Sequence, residues 1–117
     1  MNIESIREYC LSKRFSEETL PFGPGVIVFK AGGKAFLLLP LDTEDLRFNV
    51  KCDPDLAVEL RERYDCVHPG YHMNKKHWNT IIVDGSVPPK QILEWIDHSY
   101  ELIVKALPKK ERDKFLD

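Results

Sequence analysis

The sequence predicts an α+β domain: an antiparallel sheet with the N- and C-terminal helices packed on one face. Short β-rich runs follow one another between turn signals through the middle of the chain, and amphipathic helical stripes stand at its two ends. Its length, 117 residues, suffices for one hydrophobic core and is too short for two ordinary domains, so residues 1–117 are expected to form one unit.

Each element has its own signal. Ile3, Ile6, Cys10 and Leu11 share one stripe of a helix expected over Ile3 to Phe15, with Glu4, Arg7, Glu8 and Lys13 outside it. Pro21, Gly23, Pro24 and Gly25 break that pattern and lead into Val26-Ile27-Val28-Phe29, a first strand. Gly32-Gly33 supplies two residues able to adopt positive φ, which predicts a tight hairpin into a second strand from Lys34 to about Pro40. Leu46, Phe48, Val50 and Cys52 alternate with Arg47, Asn49, Lys51 and Asp53, the pattern of a half-buried third strand.

Asp53-Pro54 reads as an N-cap followed by proline at the first helical position, and Leu56, Leu60 and Tyr64 recur at spacing four in a short helix. Trp78 to Val83 is a fourth strand closed by Asp84-Gly85. Ile92, Trp95, Ile96, Ser99, Tyr100, Ile103 and Leu107 then mark one face of a long helix ended by Pro108. At about 1.5 Å per residue it is long enough to lie across a small sheet. The tail 109–117 is expected to be loosely ordered. The opposite sheet face should be partly open, with Arg47, Asn49 and Lys51 projecting from it unless the middle helix covers them.

Composition narrows the class. Hydrophobic residues make up 43% and charged residues 31%, a globular balance. No apolar run approaches the roughly 20 residues that span a bilayer, and Met1-Asn2-Ile3-Glu4-Ser5 has no signal-peptide character. A cytoplasmic protein, monomeric and without a membrane partner, is the expectation. Cys10, Cys52 and Cys66 are odd in number and lack a C-x-x-C pair, which points to free thiols. The net charge of −2 means that any nucleic-acid role needs locally clustered cations.

One stretch stands apart, Asp65 to Asn79, with three of the four histidines and two adjacent lysines beside aromatic rings. Lysine and asparagine contact phosphates and base edges, and aromatic rings stack on unpaired bases. The candidate DNA contacts are therefore Lys51, His72, Lys75, Lys76, His77 and Asn79. Trp78 opens a strand and reads more simply as core, and Tyr71 as a half-buried loop anchor. Three phosphates neutralised by Lys51, Lys75 and Lys76 would give a salt slope of only about −2.7. The same loop could instead wall a pocket for a small ligand or a protein partner.

Other chemistry fits poorly. Cys66, His68, His72 and His77 include metal-ligand types, but their spacing matches no C-x-x-C or H-E-x-x-H arrangement, and Lys75 and Lys76 would repel a cation. Cys10 and Cys52 fall on inward positions, and Cys66, which could be exposed near His68, lacks any sign of a third catalytic member. Gly23-Pro24-Gly25 leads into a strand and so is no phosphate loop. No cofactor and no catalysis are expected.

Pro21-Phe22-Gly23-Pro24-Gly25, Lys51-Cys52-Asp53-Pro54, the run from Pro69 to Asn79, and Asp97-His98-Ser99-Tyr100-Glu101-Leu102 resemble, in order, the recurring motifs of the MmcQ/YjbR family of small bacterial proteins. The resemblance spans nearly the whole chain. It implies a CyaY-like fold and a non-enzymatic DNA-binding role inferred from likeness to a double-wing domain, a fold-level analogy. Frataxin-type proteins share the general fold and bind iron on an acidic first helix. Here Arg7, Lys13 and Arg14 offset Glu4 and Glu8, so iron binding is not carried over.

Overall fold

The structure, a computed structural model, describes residues 1–116. In chain order it contains α1 (Ile3–Leu11), β1 (Ser16–Thr19), β2 (Val26–Ala31), β3 (Lys34–Pro40), β4 (Arg47–Lys51), α2 (Pro54–Arg63), β5 (Val67–Pro69), β6 (Trp78–Ile82), α3 (Pro89–Lys105) and α4 (Lys109–Asp113). The strands form one antiparallel sheet in the order β1-β2-β3-β4-β6-β5. The expected α+β architecture is present, with two strands more than the sequence suggests.

Both extra strands lie at sheet edges. β1 reads Ser16-Glu17-Glu18-Thr19, with no apolar alternation, and its strand character comes from pairing with β2. Helix α1 stops at Leu11 rather than Phe15, and the backbone passes through Phe15 at φ +57° before entering β1. Arg7 ties the two elements together, its guanidinium donating to both Glu18 carboxylate oxygens at 2.8 Å. β5 is only three residues long and ends at Pro69, which has no N–H to offer a further strand.

The Gly32-Gly33 hairpin forms as expected, with φ +60° and +79°. It has a consequence on β3. Phe29 pairs with Leu37 and Lys30 with Ala35, so Phe36 is an extra residue without an opposite number. This bulge turns Phe36 inward beside Leu37 and leaves Ala35, Leu38 and Pro40 on the other face.

The helices and the core share one face. Ile27, Phe29, Phe36, Leu37, Leu39, Phe48, Val50 and Ile81 pack with Ile6, Ile92, Trp95, Ile96 and Ile103 in a single buried cluster. The middle helix α2 joins that face, through buried Ala57 and Leu60, so it does not cover Arg47, Asn49 and Lys51. Phe115, in the tail expected to be loose, packs edge-on against Phe15 with ring centroids 5.1 Å apart, and also faces Tyr100. Asp117 lies outside the described residues.

All three cysteines are free and buried, including Cys66, whose expected exposure the structure corrects: it sits 2% exposed just before β5. Burial pushes the Cys10 thiol up to about 12. It does the same to Cys52, with help from Asp53, to about 11. Neither is a thiolate near neutral pH.

The junction between β3 and β4 is the sheet's narrowest. Only Leu37–Val50 and Leu38–Asn49 pair across it. Beyond that point the buried Ser99 hydroxyl of α3 donates to the bulge carbonyl of Phe36 at 2.6 Å and accepts the Lys51 N–H at 2.8 Å. Ser99→Ala strands both backbone groups in the core, and each such loss costs about 1–3 kcal/mol. Urea denaturation of this variant is expected to show a loss of about 2–4 kcal/mol; a loss under roughly 0.5 kcal/mol, the size of an ordinary surface change, would rule the stitch out as a determinant of stability.

Candidate functional site

Without helices over it, the second sheet face should be polar, and its central part is not. Val26 and Val28 of β2 and Ala35, Leu38 and Pro40 of β3 form an apolar floor, continued by Arg47 and Asn49 of β4 and Thr80 of β6. One row of the register runs straight across it: Thr19, Val28, Leu38, Asn49, Thr80 and His68 are successive cross-strand neighbours. Two loops rise at the sides, Pro21-Phe22 after β1 and Tyr71-His72-Met73 between β5 and β6. Together they enclose a cleft of about 720 Å³, within the range of small-molecule sites.

The lips are aromatic and exposed. Phe22 is 73% exposed and Tyr71 64%, so the expectation of a half-buried Tyr71 is corrected. The Tyr71 and His72 rings lie 4.1 Å apart at the centroids. The loop that carries them is nevertheless firmly anchored. Gly70 passes so close to Trp78 that a Cβ would lie 2.8 Å from the tryptophan Cβ, and its N–H donates to the Trp78 carbonyl at 2.8 Å. His72 takes a left-handed conformation, φ +59°. From below, Arg61 of α2 donates to the Asn79 side-chain oxygen at 2.6 Å and to the carbonyls of Lys75 and Trp78.

Polar groups on the floor are few, and most are committed. Arg47 makes a two-point ion pair with Asp45, both distances 2.5 Å. Its hydrogen bonds hold the Asp45 carboxyl below the usual carboxylate range. The Tyr71 N–H donates to the Thr80 hydroxyl at 3.0 Å, and that hydroxyl donates to Asn49 Oδ1 at 2.5 Å. Asn49 is 9% exposed and lines the cleft, and its amide nitrogen makes no hydrogen bond to the described residues and keeps some accessible surface.

The sequence-predicted contacts are only partly gathered. His72, Lys75 and Lys76 are exposed on the β5–β6 loop, and His77 is half-buried at its exit, where its carbonyl accepts the Cys52 N–H at 2.8 Å. Lys51, half-buried, ends β4 opposite Trp78 and so lies beside that exit. Asn79 must be removed from the set. It is 1% exposed on the helix side of β6, bonded to Arg61 and to the Ala57 carbonyl, because its register partner is the inward-facing Val50. Asn49 does not project into solvent and Arg47 is paired, so the expected open polar face is largely apolar. His98, on α3, accepts the Asp53 N–H at 3.2 Å beside the start of α2.

A family model for YjbR matches residues 11–102. The chain belongs to the YjbR family. Among its relatives, the uncharacterised Escherichia coli protein YbdF is 34% identical over 115 residues, covering 95% of this chain and 91% of that one. The uncharacterised Escherichia coli protein YjbR is 31% identical over 112 residues, covering 96% and 95%. A crystal structure of a Deinococcus radiodurans protein superimposes with a TM-score of 0.90 at 35% identity, over 97% of this chain and 87% of that one. One from Pseudomonas syringae gives 0.76 at 28% identity, over 87% and 98%.

The YjbR match takes in every residue that lines the cleft and stops short of α4. Among the described residues no group of three or more His, Cys, Asp or Glu side chains is placed to hold a metal ion, and no helix is long and apolar enough to cross a membrane.

The sequence offers the loop as a pocket wall, but its apolar floor on β2 and β3 went unforeseen, although a signal existed. Val26 to Phe29 and Phe36 to Leu39 are continuous apolar runs, which place apolar side chains on both faces of antiparallel strands when helices cover only one. Arg61→Met is expected to release the β5–β6 loop and leave the Asn79 side-chain oxygen unpaired, lowering stability by about 1–3 kcal/mol; hydrogen exchange should speed up at residues 70–77 more than in β2 and β3. Equal acceleration throughout would show that Arg61 anchors no particular segment.

Proposed function

We propose that this YjbR-family chain is a non-enzymatic binding module whose open sheet face takes a small, largely apolar ligand between the Phe22 and Tyr71–Met73 lips. The observation that carries this reading is the apolar floor of Val26, Val28, Ala35, Leu38 and Pro40 in a cleft of about 720 Å³, on a face that no helix covers. Concave apolar surfaces with a few convergent polar groups are the usual form of small-molecule sites, and exposed aromatics at a rim are a common anchor. A net charge of −2 is no obstacle. The neutral fluorophore N-phenyl-1-naphthylamine should bind with enhanced emission. Leu38→Asp, which puts a charge on the floor, should weaken it at least about tenfold, the order expected for 1.4 kcal/mol or more. Phe22→Ala, at an exposed lip that folding does not need, should weaken it several-fold. No binding by the wild type would end the proposal.

A second reading has one observation in its favour. Lys75 and Lys76 are exposed on the loop that also presents the Tyr71 and His72 rings, so phosphate contact and base stacking could be combined there. DNA binding through this loop predicts that Lys75→Ala with Lys76→Ala lowers affinity in a gel shift and reduces the salt slope by about 2. Identical shifts for wild type and the double variant would discard it.

A further inference from the structure

We infer that the cleft is built for an apolar monocarboxylate, with a headgroup oxygen accepting a hydrogen bond from the Asn49 amide nitrogen. This ligand class rests on the cleft being a binding site at all.

The polarity of the floor comes from a one-way chain of donors. The Tyr71 N–H donates to Thr80, and the Thr80 hydroxyl donates to Asn49 Oδ1 at 2.5 Å. Asn49 Oδ1 already accepts from Thr80, so the group this 9% exposed side chain leaves without a partner is its NH2, with two donors. A donor without a protein partner at the floor of the cleft favours a ligand that places an acceptor oxygen there.

Charge points the same way. The charged residues that line the cleft are Lys30 and Arg47, and no aspartate or glutamate lines it. Arg47 is paired with Asp45 through Nε and Nη2. Lys30 makes no ion pair among the described residues; Glu17, its cross-strand neighbour on edge strand β1, is not within bonding reach of it. One uncommitted cation suits one negative charge, whereas a polyphosphate would need more. An amine would meet a cation and no lining carboxylate to balance its charge. The floor runs from β2 to β6, three strand spacings or about 14 Å, room for a medium-chain or fused-ring body lying flat.

The test uses competition against N-phenyl-1-naphthylamine by octanoate, octanol and octylamine. Wild type is expected to bind octanoate at least about tenfold more tightly than octanol and to bind octylamine most weakly. In Asn49→Asp one carboxylate oxygen still accepts from Thr80, which keeps the floor's hydrogen bond, while the other replaces the donor. The octanoate-to-octanol preference should fall to about one or invert, with the circular dichroism spectrum and melting curve confirming the fold. Lys30→Met, at the rim, should reduce the same preference several-fold and provides the test if Asn49→Asp does not fold. An undiminished octanoate preference in both variants, or no preference in wild type, overturns the carboxylate assignment while the probe still reports a cleft. Failure of the probe to bind wild type overturns the cleft as a site and the assignment with it.

Discussion

The Ser99 hydroxyl holds the two halves of the sheet in register, and both the core and the cleft depend on that register. β1, β2 and β3 form one half and β4, β6 and β5 the other, joined by only two residue pairs of β3 and β4. The bulge at Phe36 releases a carbonyl from the ladder just where β4 still has a free N–H at Lys51, and a single hydroxyl from α3 satisfies both. Serine is a mediocre helix residue and a poor core residue. It is tolerated on the buried face of α3 because it replaces two missing ladder bonds.

The same seam explains the cleft. Leu38 and Asn49, the seam pair on the uncovered face, sit at the centre of the floor, so apolar β3 meets polar β4 there. The bulge also decides which side chains reach that face, since without it Leu37 and Leu39 would take the places of Leu38 and Pro40. A backbone irregularity thus assigns three leucines to two faces.

The β5–β6 loop is a structural element before it is anything else. Gly70 allows close passage past Trp78, Arg61 grips the loop's carbonyls from the helix side, and Thr80 ties Tyr71 to the floor. Those anchors present Tyr71, His72, Lys75 and Lys76 at the surface in a fixed arrangement. Arg61 was invisible as an anchor in the sequence, where it reads as one more charge on an amphipathic helix, because its partners lie 14 to 18 residues away.

Patterns of period two and 3.6, the Gly-Gly hairpin and the Asp53-Pro54 cap are local, and by themselves they determined the fold class, four of the strands, α2 and α3, while the longer motifs pointed to the family. The tertiary structure alone decided what depended on distant neighbours. β1 carries no apolar pattern and exists because β2 offers it an edge. Asn79 looked like a contact and is buried because its register partner faces the core. Asn49 looked exposed and became the floor of a cleft, since the chain's own residues, brought from β2, β3, β4, β6 and two loops, close around it. A side chain's parity along its strand can be read from the sequence, but whether anything stands over it depends on segments far away in the chain, and only folding brings those together.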